Sequence, residues 1–127
     1  MHVATEEKNG SIVVTLKAPR LDHAVSSAFK DYVLNLEAKG KALVLDLSHV
    51  EFMDSSGLGA LVGVRKRLGW SAKIVLAGVR SPVYRVFELA KMTGVFTFYT
   101  SVGAALSRTA GEHRAWDRRP AQRAMAG

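Results

Sequence analysis

The chain has no cysteine, which excludes disulfides, thiolate metal ligands and thiol nucleophiles and suits a reducing compartment. It also lacks any apolar run near the roughly 20 residues that a membrane-crossing helix needs. Its N-terminus, MHVATEEKNG, turns polar within a few residues and shows no secretory signal. The four histidines, His2, His23, His49 and His113, have no metal-ligand spacing. No Gly-x-Ser-x-Gly elbow is present. These absences point to a cytoplasmic protein with no membrane insertion, no metal, no cofactor and no catalytic residue of its own.

What remains is enough for one folded domain. The 127 residues are 48% hydrophobic, within the range that builds a core without staples. The net charge is +7 and the pI is near 10.1. A basic balance can signal nucleic acid or an anionic membrane surface, but the distribution argues against both. The segment from residue 111 to 127 holds Arg114, Arg118, Arg119 and Arg123 against Glu112 and Asp117, so the basic tail accounts for only part of the excess. The densest cluster elsewhere, Arg65-Lys66-Arg67, reads as the solvated face of a helix. Direct nucleic-acid binding is therefore not expected. Residues 1–110 are assigned to the domain and 111–127 to a basic, poorly ordered tail in which Trp116 has a chance to dock.

The patterning predicts an α/β fold. Strands are expected over His2–Glu7 and Ser11–Lys17, joined by a tight turn at Asn9-Gly10. In the second, Ile12, Val14 and Leu16 alternate with Val13 and Thr15, which predicts one well-buried face. A helix over Ala24–Ala38 follows from the spacing of Val25, Phe29, Tyr32, Val33 and Leu36. The apolar run Ala42–Leu47 reads as a central strand covered on both sides. Met53–Gly57 reads as a turn and helix start, and a second helix runs on to about Leu68, then a strand over Lys73–Ala77. Ser81-Pro82 reads as a helix start with an N-cap hydroxyl. Phe96–Tyr99 forms a last strand, and Ser101 opens a final helix. Alternation after the opening hairpin implies parallel strands with right-handed crossovers. The expectation is a mixed four- to five-stranded sheet with about four helices, mainly on one face.

The informative segment is LVLDLSHVEFMDSSGLGALVGVR, residues 43–65. Ser55 lies where a strand has ended and a helix begins, so its plain role is to cap that helix. The same position offers unpaired N–H groups and positive partial charge, where a phosphate is tolerated. Gly57 and Gly59 lack side chains and would let another backbone approach. A dinucleotide fingerprint is a poor fit. The glycines do not follow the first strand, no acidic residue ends the next one, and the domain is too short for two nucleotide-binding halves. Asp46 and Asp54 as an acid–base pair is also a poor fit, since Asp46 lies within a strand.

Asp54-Ser55-Ser56-Gly57-Leu58-Gly59 after an apolar strand resembles the signature of the STAS domain, in particular the bacterial anti-sigma factor antagonists. The likeness extends to Leu21-Asp22-His23, to Ser81-Pro82 with Val83, Val86 and Phe87, and to Met92-Thr93-Gly94-Val95-Phe96. The resemblance implies that the chain binds an anti-sigma factor that is also a serine kinase, and so releases a sigma factor. It implies phosphorylation at Ser55, with Asp22, Asp54, Ser56 and Gly57 on the partner-binding surface. A metal-dependent serine phosphatase would reset the switch. The same family contains subunits of lipid-transport ABC complexes that bind their ATPase without phosphorylation, an alternative that the residues leave open. The basic balance and the Arg-rich tail depart from the family's pattern.

Overall fold

The structure is a computed structural model that describes residues 1–111. The expected tail, with Trp116, lies outside the described residues apart from Gly111. In chain order the elements are β1 (Val3–Lys8), β2 (Ser11–Leu16), β3 (Arg20–Leu21), α1 (Ser26–Leu34), β4 (Ala42–Asp46) and β5 (Phe52–Met53). These are followed by α2 (Ser55–Leu68), β6 (Ile74–Ala77), α3 (Ser81–Leu89), β7 (Thr97–Tyr99) and α4 (Val102–Gly111).

Asn9 and Gly10 take φ of 52° and 79°, which turns β1 back on β2 as an antiparallel pair. Every later pairing in the main sheet is parallel. The five strands lie in the order β1-β2-β4-β6-β7, the mixed sheet that the element order implied. Side chains alternate across it with period two. The register aligns Val14, Leu45, Leu76 and Phe98 in one row, facing Phe29 and Val33 of α1, Leu58, Leu61 and Val64 of α2, and Val83 and Phe87 of α3. Phe87 meets Phe96 and Phe98 edge-on at 6.2 and 5.1 Å between centroids. The neighbouring row, Val13, Val44 and Val75, lies against Ala105 and Leu106 of α4. Three helices therefore share one face and the fourth covers the other. This corrects the expectation for β2, which is buried on both faces because α4 closes the second.

Local chemistry explains the other departures. α1 is shorter than its apolar spacing predicted. The carbonyl of Asp22 accepts from both Val25 N and Ser26 N, which makes a turn before the helix. Lys39 and Gly40, with φ of 52° and 81°, carry the chain away after it, while Leu36 and Ala38 still pack on the core from outside the helix. Arg80, not Ser81, occupies the cap of α3 and makes no side-chain cap bond, although Pro82 sits in the first turn as expected. Ser101 does cap: its Oγ accepts from Ala104 N at 3.0 Å. Arg65 is not part of a solvated face. It is buried, donates to the carbonyls of Gly69 and Ala72, and lies over the Trp70 ring at 5.1 Å. Lys66 and Arg67 are exposed as read.

Candidate functional site

The site is built where two short strands end side by side. β3 and β5 pair in parallel, with Arg20 opposite Phe52 and Leu21 opposite Met53. Leu21 and Met53 are buried and anchor the pair, so the two aspartates that follow them, Asp22 and Asp54, emerge together at the surface. Two-residue strands are too short for any periodicity to reveal. The signal available in the sequence was the repeated apolar-Asp step, Leu21-Asp22 and Met53-Asp54, and it was missed.

Asp54 is the N-cap of α2. Its backbone is extended, and its Oδ1 accepts from Gly57 N at 3.0 Å. Its Oδ2 accepts from His23 N at 3.2 Å. One carboxylate thus ties the start of α2 to the loop after β3. The reading of Ser55 as the cap is corrected accordingly: Ser55 is the first helical residue and Ser56 the second. Both are exposed, and neither hydroxyl has a hydrogen-bond partner among the described residues. The shift by one residue matters chemically, since a capping hydroxyl would be occupied and this one is not.

Asp22 is half-buried. Its Oδ2 accepts from Arg20 Nε at 3.1 Å and its Oδ1 from Ala24 N at 3.1 Å. The Arg20 hydrogen bond, reinforced by the Ala24 N–H, holds its carboxyl below the ordinary value against a smaller opposing effect of burial. The two aspartates are therefore not a bare negative patch. One is ion-paired, and both oxygens of the other accept from backbone N–H groups.

Gly57 is buried. A Cβ there would lie 2.2 Å from the Leu21 carbonyl oxygen and 2.7 Å from Met53 Cγ. Its missing side chain makes room for β3, not for a visiting backbone. Gly59 is exposed and a Cβ there would meet nothing within 4 Å, so of the two glycines expected to admit another backbone, Gly59 is open and Gly57 is not. Gly59 lines an open groove of about 280 Å³ with His23, Ser26, Ser27, Lys30, Ser56 and Ala60, between α1 and α2.

A sequence model of the STAS domain matches residues 2–105. This chain belongs to the STAS domain family. An anti-sigma F factor antagonist of Paenibacillus polymyxa is 26% identical over 110 residues, covering 84% of this chain and 93% of that protein. An anti-sigma-F factor antagonist of Mycobacterium tuberculosis is 27% identical over 110 residues, covering 86% and 89%. Among solved structures, an anti-sigma factor antagonist from Mycobacterium paratuberculosis superposes with a TM-score of 0.75 at 27% identity, covering 85% of this chain and 92% of that one. In this STAS domain, Asp22, Asp54, Ser55 and Ser56 lie together where β3, β5 and α2 meet, with Gly57 buried beneath them. No group of three or more histidine, aspartate or glutamate side chains able to hold a metal occurs among the described residues. No helix among them is long and apolar enough to cross a membrane.

Proposed function

We propose that this STAS domain is an anti-sigma factor antagonist whose partner affinity is switched by phosphorylation of Ser55. The observation that carries the reading is the division of roles at the start of α2. Asp54 takes the cap, so the exposed Ser55 hydroxyl beside it is available to a kinase. The names of the relatives supply the partner class, an anti-sigma factor. In this reading that factor is also a serine kinase. Ser55 Oγ attacks the γ-phosphorus of its ATP, the bond to the bridging oxygen breaks, the hydroxyl proton leaves and ADP is released. The modified domain dissociates, and a metal-dependent serine phosphatase removes the group. The domain works in the cytoplasm, holds no cofactor and catalyses no turnover of its own. Ser56 contributes an exposed contact beside Ser55. Asp22 and Asp54 belong to the same surface chiefly by holding the loop and the helix start in register, and Gly57 supports it from beneath by admitting β3.

Magnitudes favour a switch of binding over a switch of fold. Phosphorylation adds about −1.5 to −2 charges. The N-terminus of α2 tolerates them, through its unpaired first-turn N–H groups and its dipole. A like charge 4 Å away on the partner costs about 1 kcal/mol in bulk water and about 4 kcal/mol at an effective dielectric of 20. That range weakens binding by roughly fivefold to a thousandfold. The test is phosphosite mapping after incubation with the anti-sigma factor and ATP, then titration of each form against that factor. Ser55 is expected to carry the phosphate. Ser55→Ala should escape modification and keep its affinity, since it removes no cap. Ser55→Asp should bind more weakly than wild type but better than the phosphorylated form. Phosphate found only on Ser56, or equal affinity of modified and unmodified protein, would refute the switch.

A further inference from the structure

We infer that Arg20, held over Phe52, is the specificity-determining contact that receives a carboxylate of the partner; this rests on the antagonist reading above. Among the described residues, the large apolar side chains that remain exposed are few: Met1, Phe52, Trp70 and Leu89. Of these, Phe52 lies three residues before Ser55 and directly opposite Arg20 in the β3–β5 register. The Arg20 guanidinium carbon stands 4.3 Å from the centre of the Phe52 ring. Its Nε is held by Asp22 at 3.1 Å. The planar group is thus fixed from below by the ring and at one edge by the carboxylate, while the side chain stays 58% exposed. Its two terminal nitrogens have no partner among the described residues.

A guanidinium positioned in this way is prepared to take a carboxylate through two N–H donors, with little flexibility left to lose. Arginines and aromatics also dominate the energetic centres of protein interfaces. The charge pattern selects the partner. A lysine or arginine brought to this place would face Arg20, whereas an aspartate or glutamate would complement it. Such a group would strengthen the switch. Repulsion between a Ser55 phosphate and Asp22 or Asp54 acts within one chain, whereas a negative charge on the other molecule directs the repulsion at the complex. Arg20, opposite Phe52 in the strand pair that leads into Ser55, would recruit one on the same side of the domain.

The experiment titrates the anti-sigma factor against the full chain and its variants at low and moderate salt, with urea midpoints measured alongside. Arg20→Gln is expected to raise Kd about 10- to 100-fold, with only a small fall in midpoint from the lost Asp22 and Phe52 contacts. Arg20→Lys keeps the charge but loses the planar fork, so it should show a smaller rise. Arg20→Glu should bind worst, and an Asp→Lys or Glu→Lys change on the anti-sigma factor should recover at least tenfold of that loss. Wild-type affinity for Arg20→Gln, or no rescue by any acidic-to-lysine change on the partner's docking face, would overturn the inference while the antagonist reading stands. A wild-type chain that binds no anti-sigma factor would overturn both.

Discussion

Two glycines one half-turn apart in α2 are expected to respond to alanine in opposite directions. At Gly57 a new Cβ would stand 2.2 Å from the carbonyl oxygen of Leu21 and 2.7 Å from Met53 Cγ. The first of these atoms is backbone, and it also accepts from Asp54 N at 3.4 Å. Relief requires β3 and β5 to part or the start of α2 to tilt away. Overpacking of a fixed site costs about 1 to 3 kcal/mol, and a clash with an anchored carbonyl belongs at the upper end. At Gly59 nothing lies within 4 Å of the new atom, so Gly59→Ala should gain the usual helix preference, about 0.5 to 1 kcal/mol. A gap of nearly 4 kcal/mol corresponds to roughly 15 °C in a domain of this size. Thermal melts followed by far-ultraviolet circular dichroism, with urea titrations at one temperature, measure it directly. Gly57→Ala melting at or above wild type would refute the claim that this glycine exists to admit β3. Gly59 also lines the open groove, so a stabilised Gly59→Ala that nevertheless binds the partner less well would locate part of the interface there.

Three further outcomes are expected. Asp54→Ala removes the α2 cap and the tie to His23 N, and should cost about 1 to 2 kcal/mol in urea titration, whereas Asp54→Asn should retain most of the cap. Asp22 has a folded-state pKa below its ordinary value of 3.8, so its stabilising effect is complete above that value and is lost as the pH falls through the folded pKa. The stability difference between wild type and Asp22→Asn should therefore stay constant from neutral pH down to about 4 and shrink below it; a difference that instead grows on acidification would show the sign to be wrong. Arg65→Ala strips the donor from the Gly69 and Ala72 carbonyls and should destabilise by about 2 to 3 kcal/mol. In a Trp116→Phe background, the emission of Trp70 should change with it.

Much of this architecture was legible because it follows from short-range rules. The hairpin at Asn9-Gly10, the buried central strand from Ala42 and the final helix opened by Ser101 each rest on a turn, a period or a cap encoded in adjacent residues. The Asp54–Gly59 segment was likewise readable as a strand-to-helix junction carrying an exposed serine. The one-residue error there, Ser55 for Asp54 as the cap, arose because serine and aspartate cap equally well and only the backbone angle separates them. What the tertiary structure alone decided depends on contacts between distant segments. Leu21 and Met53 are 32 positions apart and form a strand pair too short to show periodicity, yet that pair brings Asp22 to Asp54, holds Arg20 over Phe52 and forces position 57 to be glycine. Arg65 reads as a surface charge by residue type, but the Gly69–Ala72 turn folds its carbonyls over it and excludes water. Local sequence sets the conformations a segment can adopt; which polar groups remain open to solvent is settled only when remote segments have taken their hydrogen bonds.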